Sequence, residues 1–182
     1  MGEGELELIQ RALRGDIEAW GEIVRRYKEA VFGIAFGILG NAPDAEDATQ
    51  DAFIRAYENL ERYDLKRRFS TWIFTITANI CKNKLRRERF FAPLKDAVQL
   101  LGGEDPAEQV EREERQLLVQ EALAALDEKY RAPLVLRYYG ELDYKEIAEA
   151  LGMPEGTVKT RIHRAKLQLK AWMEERGVKG NA

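Results

Sequence analysis

The segment Tyr144-Lys-Glu-Ile-Ala-Glu-Ala-Leu-Gly-Met-Pro-Glu-Gly-Thr-Val-Lys-Thr-Arg-Ile-His163 carries the most specific chemistry in the chain. Ile147, Leu151, Met153, Val158 and Ile162 fall where two crossed helices bury their contact, Ala148 is small at the crossing, and Gly152 permits a tight turn. Such a helix-turn-helix would set Lys159, Thr160, Arg161, His163 and Arg164 outward, as donors to the base edges and phosphates of a major groove. Residues 159–170 hold five basic residues and no acid. A helical hairpin with a solvated basic face is the plainer alternative, but the joint match of turn, small residue and one-sided charge favours duplex DNA. His163, the one histidine, has no cysteine or carboxylate spaced to make a metal site with it and is read as groove-facing.

A second cluster interleaves cations with aromatics: Arg62-Tyr63-Asp64-Leu65-Lys66-Arg67-Arg68-Phe69-Ser70-Thr71-Trp72, followed by Lys82-Asn83-Lys84-Leu85-Arg86-Arg87. Single-stranded nucleic acid needs this combination, because unstacked bases pile on rings while ammonium and guanidinium groups neutralise phosphates. The competing reading makes Phe69 and Trp72 core residues and the cations a solvated face. A third cluster, Asp44, Asp47 and Asp51, lies at i, i+3 and i+7 on one helical face. Like charges stacked there repel, although those in the first turn are favoured by the helix dipole. This face suits a basic protein partner. It could instead hold magnesium and a diphosphate, with Glu22 and Glu29 as the candidate facing carboxylates.

The elements that position these groups read as helices throughout. Trp20, Ile23, Val24, Tyr27, Val31, Ile34, Ala35 and Ile38 recur at helical spacing, with Asp16 as the expected N-cap. A second helix is expected from the Asn41 cap, with Pro43 in its first turn, to about Leu60, burying Ala45, Ala48, Ala52 and Ala56. Ser70 is expected to cap a third, through Trp72, Ile73, Ile76, Ile80 and Leu85 to about Phe90, and residues 61–69 to form a basic loop between them. The pattern breaks from Pro93 to Pro106, restarts at Leu117, and continues past Pro133, which predicts a kink or a helix start. Two helices joined at Gly152-Met153-Pro154 close the chain.

With 182 residues, 45% of them hydrophobic and 34% charged, the chain can bury one ordinary core or two small ones. Its most apolar run, Val31 to Gly40, is too short to span a membrane, and the acidic N-terminus lacks the basic n-region of a secretory signal, so a cytoplasmic location is expected. A single cysteine, Cys81, excludes an internal disulfide and, with one histidine, a cysteine-rich zinc site; no cofactor is expected. Residues 1–90 balance 15 basic against 15 acidic side chains, 91–130 hold 4 against 10, and 131–182 hold 10 against 7. The net charge of -3 therefore conceals a basic C-terminal part and an acidic middle.

Taken together, these residues resemble the extracytoplasmic-function sigma factors, group IV of the sigma-70 family, and the match covers nearly the whole chain. Asp44-Ala45-Glu46-Asp47, Gln50-Asp51 and Phe53 look like region 2.2; Phe69-Ser70-Thr71-Trp72-Ile73, Asn79 and Leu85-Arg86-Arg87 look like regions 2.3 and 2.4; Gly156-Thr157-Val158-Lys159-Thr160-Arg161 with Arg164-Ala165 looks like region 4.2. The resemblance implies an all-α chain of two small helical domains joined by a flexible acidic linker: a region 2 bundle over 1–91, a linker over 92–113, a region 4 helix-turn-helix over 114–176 and a tail over 177–182. It implies a non-enzymatic initiation factor that binds the beta-prime and beta subunits of core RNA polymerase, reads the promoter minus-35 element as duplex and captures the minus-10 element as opened single strand. Asp47, Gln50 and Asp51 would meet polymerase. Tyr63, Lys66, Arg67, Phe69, Trp72, Asn79, Lys82 and Arg86 would meet the minus-10 strand, with a flipped base in the 62–69 loop. Arg137 and Tyr144 would touch minus-35 backbone while Lys159, Thr160, Arg161, His163 and Arg164 face its groove. Members are commonly held inactive by an anti-sigma factor, membrane-bound or soluble, with no membrane insertion of their own. Two rivals stand beside this reading: a helix-turn-helix regulator that works without polymerase, and a helical magnesium-dependent pyrophosphohydrolase using Asp44, Asp47 and Asp51.

Overall fold

The computed structural model describes residues 3–91 and 117–177, apart from the side chains of Glu3 and of residues 88–91. These residues are helical, and among them there is no strand. The N-terminal part holds α1 (Glu3–Leu13), α2 (Ile17–Leu39), α3 (Ala42–Glu58), a 3-10 turn (Leu60–Arg62) and α4 (Phe69–Phe91). The C-terminal part holds α5 (117–124), α6 (Glu128–Tyr138), α7 (Tyr144–Leu151) and α8 (Glu155–Glu175). The expected linker over 92–113, and all of the expected tail except Gly177, lie outside the described residues.

Local signals set most of these boundaries. The Asp16 carboxylate accepts from the Ala19 amide at 3.0 Å and starts α2, and Gly40, at φ 80°, closes it in the left-handed conformation that glycine tolerates. Asn41 caps α3 through the Asp44 amide at 2.9 Å, two residues before Pro43 in the first turn. Ala45, Ala48, Ala52 and Ala56 are all fully buried, so α3 approaches α2 and α4 closely along a stripe of methyl groups. Helix α1 went unread in the sequence. It buries Ile9 and Ala12 and packs on α2.

Two boundaries differ from expectation. Ser70 does not cap α4: the helix opens at Phe69, and the Trp72 amide bonds the Arg68 carbonyl at 3.3 Å. The Phe69 ring is fully buried, and the helix starts two residues before the position that a Ser70 cap would set. Pro133 does not start a helix but lies inside α6. Its missing amide frees the Lys129 carbonyl, and the Arg161 guanidinium of α8 donates to that oxygen at 3.4 Å.

The two parts pack on each other through α2 against α6 and α4 against α7. Gly33 and Gly37 sit in the middle of α2, where each costs about 0.5–1 kcal/mol of helix stability relative to alanine. Both lie under α6: a Cβ at Gly33 would run into the Tyr139 ring, and one at Gly37 would sit 3.1 Å from both Val135 methyls. Arg131 closes the joint, its guanidinium donating to the carbonyls of Ile38 at 3.3 Å and of Ala124 and Leu126 at 3.1 Å each. The ends of α2 and α5 thus turn their negative poles on one cation. Burial lowers the Arg131 pKa from its ordinary value, opposed by the Glu128 carboxylate.

Candidate nucleic-acid and protein interface

The helix-turn-helix forms as the sequence predicts. Asp143 and Glu146 make a reciprocal capping box at the start of α7, with bonds of 2.7 and 2.8 Å, and Gly152, at φ 63°, ends it in the left-handed turn. Ile147, Leu151, Val158 and Ile162 are buried and Met153 is partly buried against them. Thr160, His163 and Arg164 are exposed on one face of α8, and Leu167, 55% exposed, continues it. Lys159 is exposed beside them, held to Glu155 at 2.7 Å and 5.5 Å from the centre of the Tyr144 ring. The hydrogen bond to Glu155 and its charge raise the Lys159 pKa.

Three residues of that set are tied to their own domain. Arg161 is half-buried and committed to the Lys129 carbonyl. Arg137 donates to the Leu142 carbonyl at 2.8 Å and lies 5.1 Å from the Tyr144 ring, so it holds the turn between α6 and α7. Arg164 reaches the Tyr130 hydroxyl at 3.4 Å, and that bond is the leading cause of a lowered Tyr130 pKa.

The aromatic and basic cluster divides by burial. Tyr63 and Phe69 belong to the core: Phe69 is fully buried, Tyr63 is 6% exposed, and each stacks within the group formed with Tyr27 and Trp72. Neither offers a ring face to a base, which corrects the expectation for both. Burial pushes the Tyr63 hydroxyl up to about 12, and its role is to tie the loop, donating to the Arg67 carbonyl. The Lys66 amide bonds the Asp64 carboxylate and the Arg67 amide the Asp64 carbonyl, both at 2.9 Å. This turn throws Lys66, Arg67 and Arg68 outward.

Trp72 has a different fate. One side packs on Tyr63 and Phe69, at ring separations of 5.0 and 5.6 Å, and the other faces a hollow of about 340 Å³ lined by Arg55, Asn59, Arg62, Ile76 and Asn79. A half-buried indole, two guanidiniums and two amides surround this one cavity, the group types that an unstacked base and its phosphates call for. Arg55 and Asn59 were missed in the sequence, because their spacing to Trp72 exists only once α3 meets α4. Lys82 and Arg86 are exposed further along α4.

On α3, Asp47, Gln50 and Asp51 are exposed, and Ile54, 55% exposed, follows at i+3 from Asp51. Asp44 turns inward: Lys84 of α4 bonds its carboxylate at 2.8 Å and that of Asp47 at 3.4 Å. Burial disfavours the Lys84 charge, but the bonds and charges of Asp44 and then Asp47 hold its pKa above the ordinary value. An ammonium thus stands where the pyrophosphohydrolase rival needs a metal, and Glu22 is paired with Arg25 at 2.7 Å. Among the described residues no cluster of three potential metal ligands occurs. No described helix is long and apolar enough to cross a membrane.

An acidic helix face, a small hollow edged by an indole and cations, and a helix-turn-helix thus stand on one helical chain. Residues 23–91 match the family model described as sigma-70 region 2, and residues 116–169 the model described as sigma-70 region 4. The chain is 35% identical over 178 residues to the ECF RNA polymerase sigma factor SigW of Bacillus subtilis, covering 92% of this chain and 95% of that protein. It is 31% identical over 170 residues to the ECF RNA polymerase sigma-E factor of Escherichia coli K12, covering 87% and 88%. Among solved structures it is similar to CnrH in complex with the cytosolic domain of CnrY, at 26% identity and a TM-score of 0.71 over 95% of this chain and 99% of that one. The chain belongs to the extracytoplasmic-function sigma factors and is a sigma factor of transcription initiation.

Proposed function

We propose that this sigma factor divides its work among three surfaces. Asp47, Gln50 and Asp51, with Ile54 as an apolar anchor, dock on a basic element of core RNA polymerase. Trp72, Asn79, Lys66, Arg67, Lys82 and Arg86 take the opened minus-10 strand, one base entering the hollow beside Trp72. Lys159, Thr160, His163 and Arg164 read the minus-35 duplex, while Arg161, Arg137 and Tyr144 hold the recognition helix in place. In this proposal region 2 spans 1–91 and region 4 spans 114–176, around family matches over 23–91 and 116–169, and catalysis belongs to polymerase. The observation that carries the reading is the hollow between α3 and α4, where an aromatic face and cationic and amide groups converge.

A protein partner, taken here as of the anti-sigma type, is part of the proposal; the solved complex of CnrH with the cytosolic domain of CnrY supports a protein partner for this fold. Its natural seat is an apolar groove of about 900 Å³ between α2, α3, α5 and α6, lined by Phe32, Phe36, Leu123 and Tyr139. The test is promoter-dependent transcription in vitro with bacterial core polymerase and a promoter library. Specific starts are expected; duplex binding with no initiation on a cognate core would favour the regulator that works without polymerase.

A further inference from the structure

Two arginines stand one turn apart on α8 with opposite fates. Arg164 is exposed on the face that the proposed function turns to the minus-35 duplex, and Arg161 is half-buried beside it. Each is met by the first turn of α6, a helix that packs on α8. Arg161 Nη1 donates to the Lys129 carbonyl at 3.4 Å, and Arg164 Nη1 donates to the Tyr130 hydroxyl at 3.4 Å. The Lys129 carbonyl is open to a side chain because the residue whose amide would close it in a regular helix is Pro133. Tyr130 is itself fixed, with its ring 6% exposed and its amide bonded to the Asp127 carbonyl at 2.8 Å.

Both acceptors are neutral, and that matters for a helix that must attract phosphate. A carboxylate would hold an arginine more tightly but would cancel the charge that draws DNA, whereas a hydroxyl or a carbonyl orients the guanidinium and leaves its charge intact. Tyr130 occupies one of the five N–H donors of Arg164 and leaves the others for the duplex. Neutral partners recur along the helix: the Lys159 ammonium lies 5.5 Å from the centre of the Tyr144 ring, and that of Lys166 lies 5.0 Å from the centre of the Tyr138 ring. Long cationic side chains lose much rotamer freedom on binding, and a partner that already restrains them reduces that loss. Resting on the minus-35 assignment above, we infer that the start of α6 decides which arginine of α8 meets DNA. Tyr130 is a positioning residue that holds Arg164 at the groove. Pro133 is a second, which withdraws Arg161 from the groove by freeing the Lys129 carbonyl. Neither needs to touch the duplex.

The test uses holoenzyme reconstituted from bacterial core polymerase and the full-length chain. Its probe is a duplex that carries the minus-35 element recovered from the promoter library and ends upstream of the minus-10 element. Tyr130→Phe keeps the buried ring and removes only the hydroxyl. Losing the positioning that one hydrogen bond supplies should weaken binding about 2- to 10-fold. The slope of log affinity against log salt should not change, because the charge of Arg164 remains. In an Arg164→Ala background the same substitution should have no effect, whereas a merely structural role would weaken both backgrounds alike. Pro133→Ala supplies the amide that closes the Lys129 carbonyl, so Arg161 is released and the salt slope should steepen by about one. Equal losses from Tyr130→Phe in both backgrounds, no loss in either, or an unchanged slope in Pro133→Ala would overturn the inference. If Arg164→Ala itself binds the duplex as the parent does, the minus-35 assignment fails and the inference falls with it.

Discussion

Replacing Trp72 by alanine separates the two roles that the structure gives its indole. One face packs on Tyr63 and Phe69, and the other walls the hollow with Arg55, Arg62 and Asn79. Truncating a well-buried Trp costs about 3–5 kcal/mol. Trp72 is half-buried and its inner neighbours stay in place, so the loss of stability should be smaller, about 2 kcal/mol. Stacking of one base on an aromatic ring is worth about 1–3 kcal/mol, which lowers affinity for the opened strand by about 5- to 150-fold. The assay is fluorescence anisotropy with a minus-10 single-stranded oligonucleotide in the presence of core polymerase, beside permanganate footprinting of promoter opening. Binding of a minus-35 duplex, which uses α8, serves as the control for folding. Trp72→Phe keeps a stacking face and should recover most of the loss. If Trp72→Ala is folded, binds the duplex normally and loses less than twofold on the single strand, the hollow does not take a base.

The other expectations concern separate surfaces. Asp51→Arg lies on an exposed face, so stability should change by less than about 0.5 kcal/mol while polymerase binding is lost; co-purification of the variant with core would refute the acidic-face assignment. Arg164→Ala should weaken minus-35 duplex binding and lower the slope of log affinity against log salt by about one, and an unchanged slope would remove Arg164 from the phosphate contacts. Asp16 is held below its ordinary carboxylate pKa, first by the Ala19 amide and then by Arg11. Its contribution is therefore present above that ordinary value and lost as pH falls through the folded-state pKa. Asp16→Ala should be less stable than the parent at pH 7, with the gap narrowing as pH falls below the ordinary carboxylate range in urea melts; a gap that ignores pH would mean the cap acts by shape alone.

Local rules and long-range packing left different marks on this chain. The helix-turn-helix with its Gly152 turn, the Asp16 and Asn41 caps and the alanine stripe of α3 were legible from residue type and spacing. Each depends on groups within four residues or on a single helical face, and both are written in linear order. The acidic face was legible for the same reason, since i, i+3 and i+7 is a property of one helix. Burial was not legible for Tyr63 and Phe69, which share their type and their basic neighbours with Trp72; only the meeting of α2, the 3-10 turn and α4 puts two of these rings inside and one at the rim. Arg55 and Asn59 became hollow residues, Lys84 the clamp on Asp44, and Arg161 the partner of a carbonyl freed by Pro133 through contacts between segments as many as 40 residues apart. The seating of α7 on α4, and of α6 over the two glycines of α2, is likewise a tertiary decision. A glycine in a sequence states only that a side chain is missing, and the fold decides which neighbour comes to occupy the space.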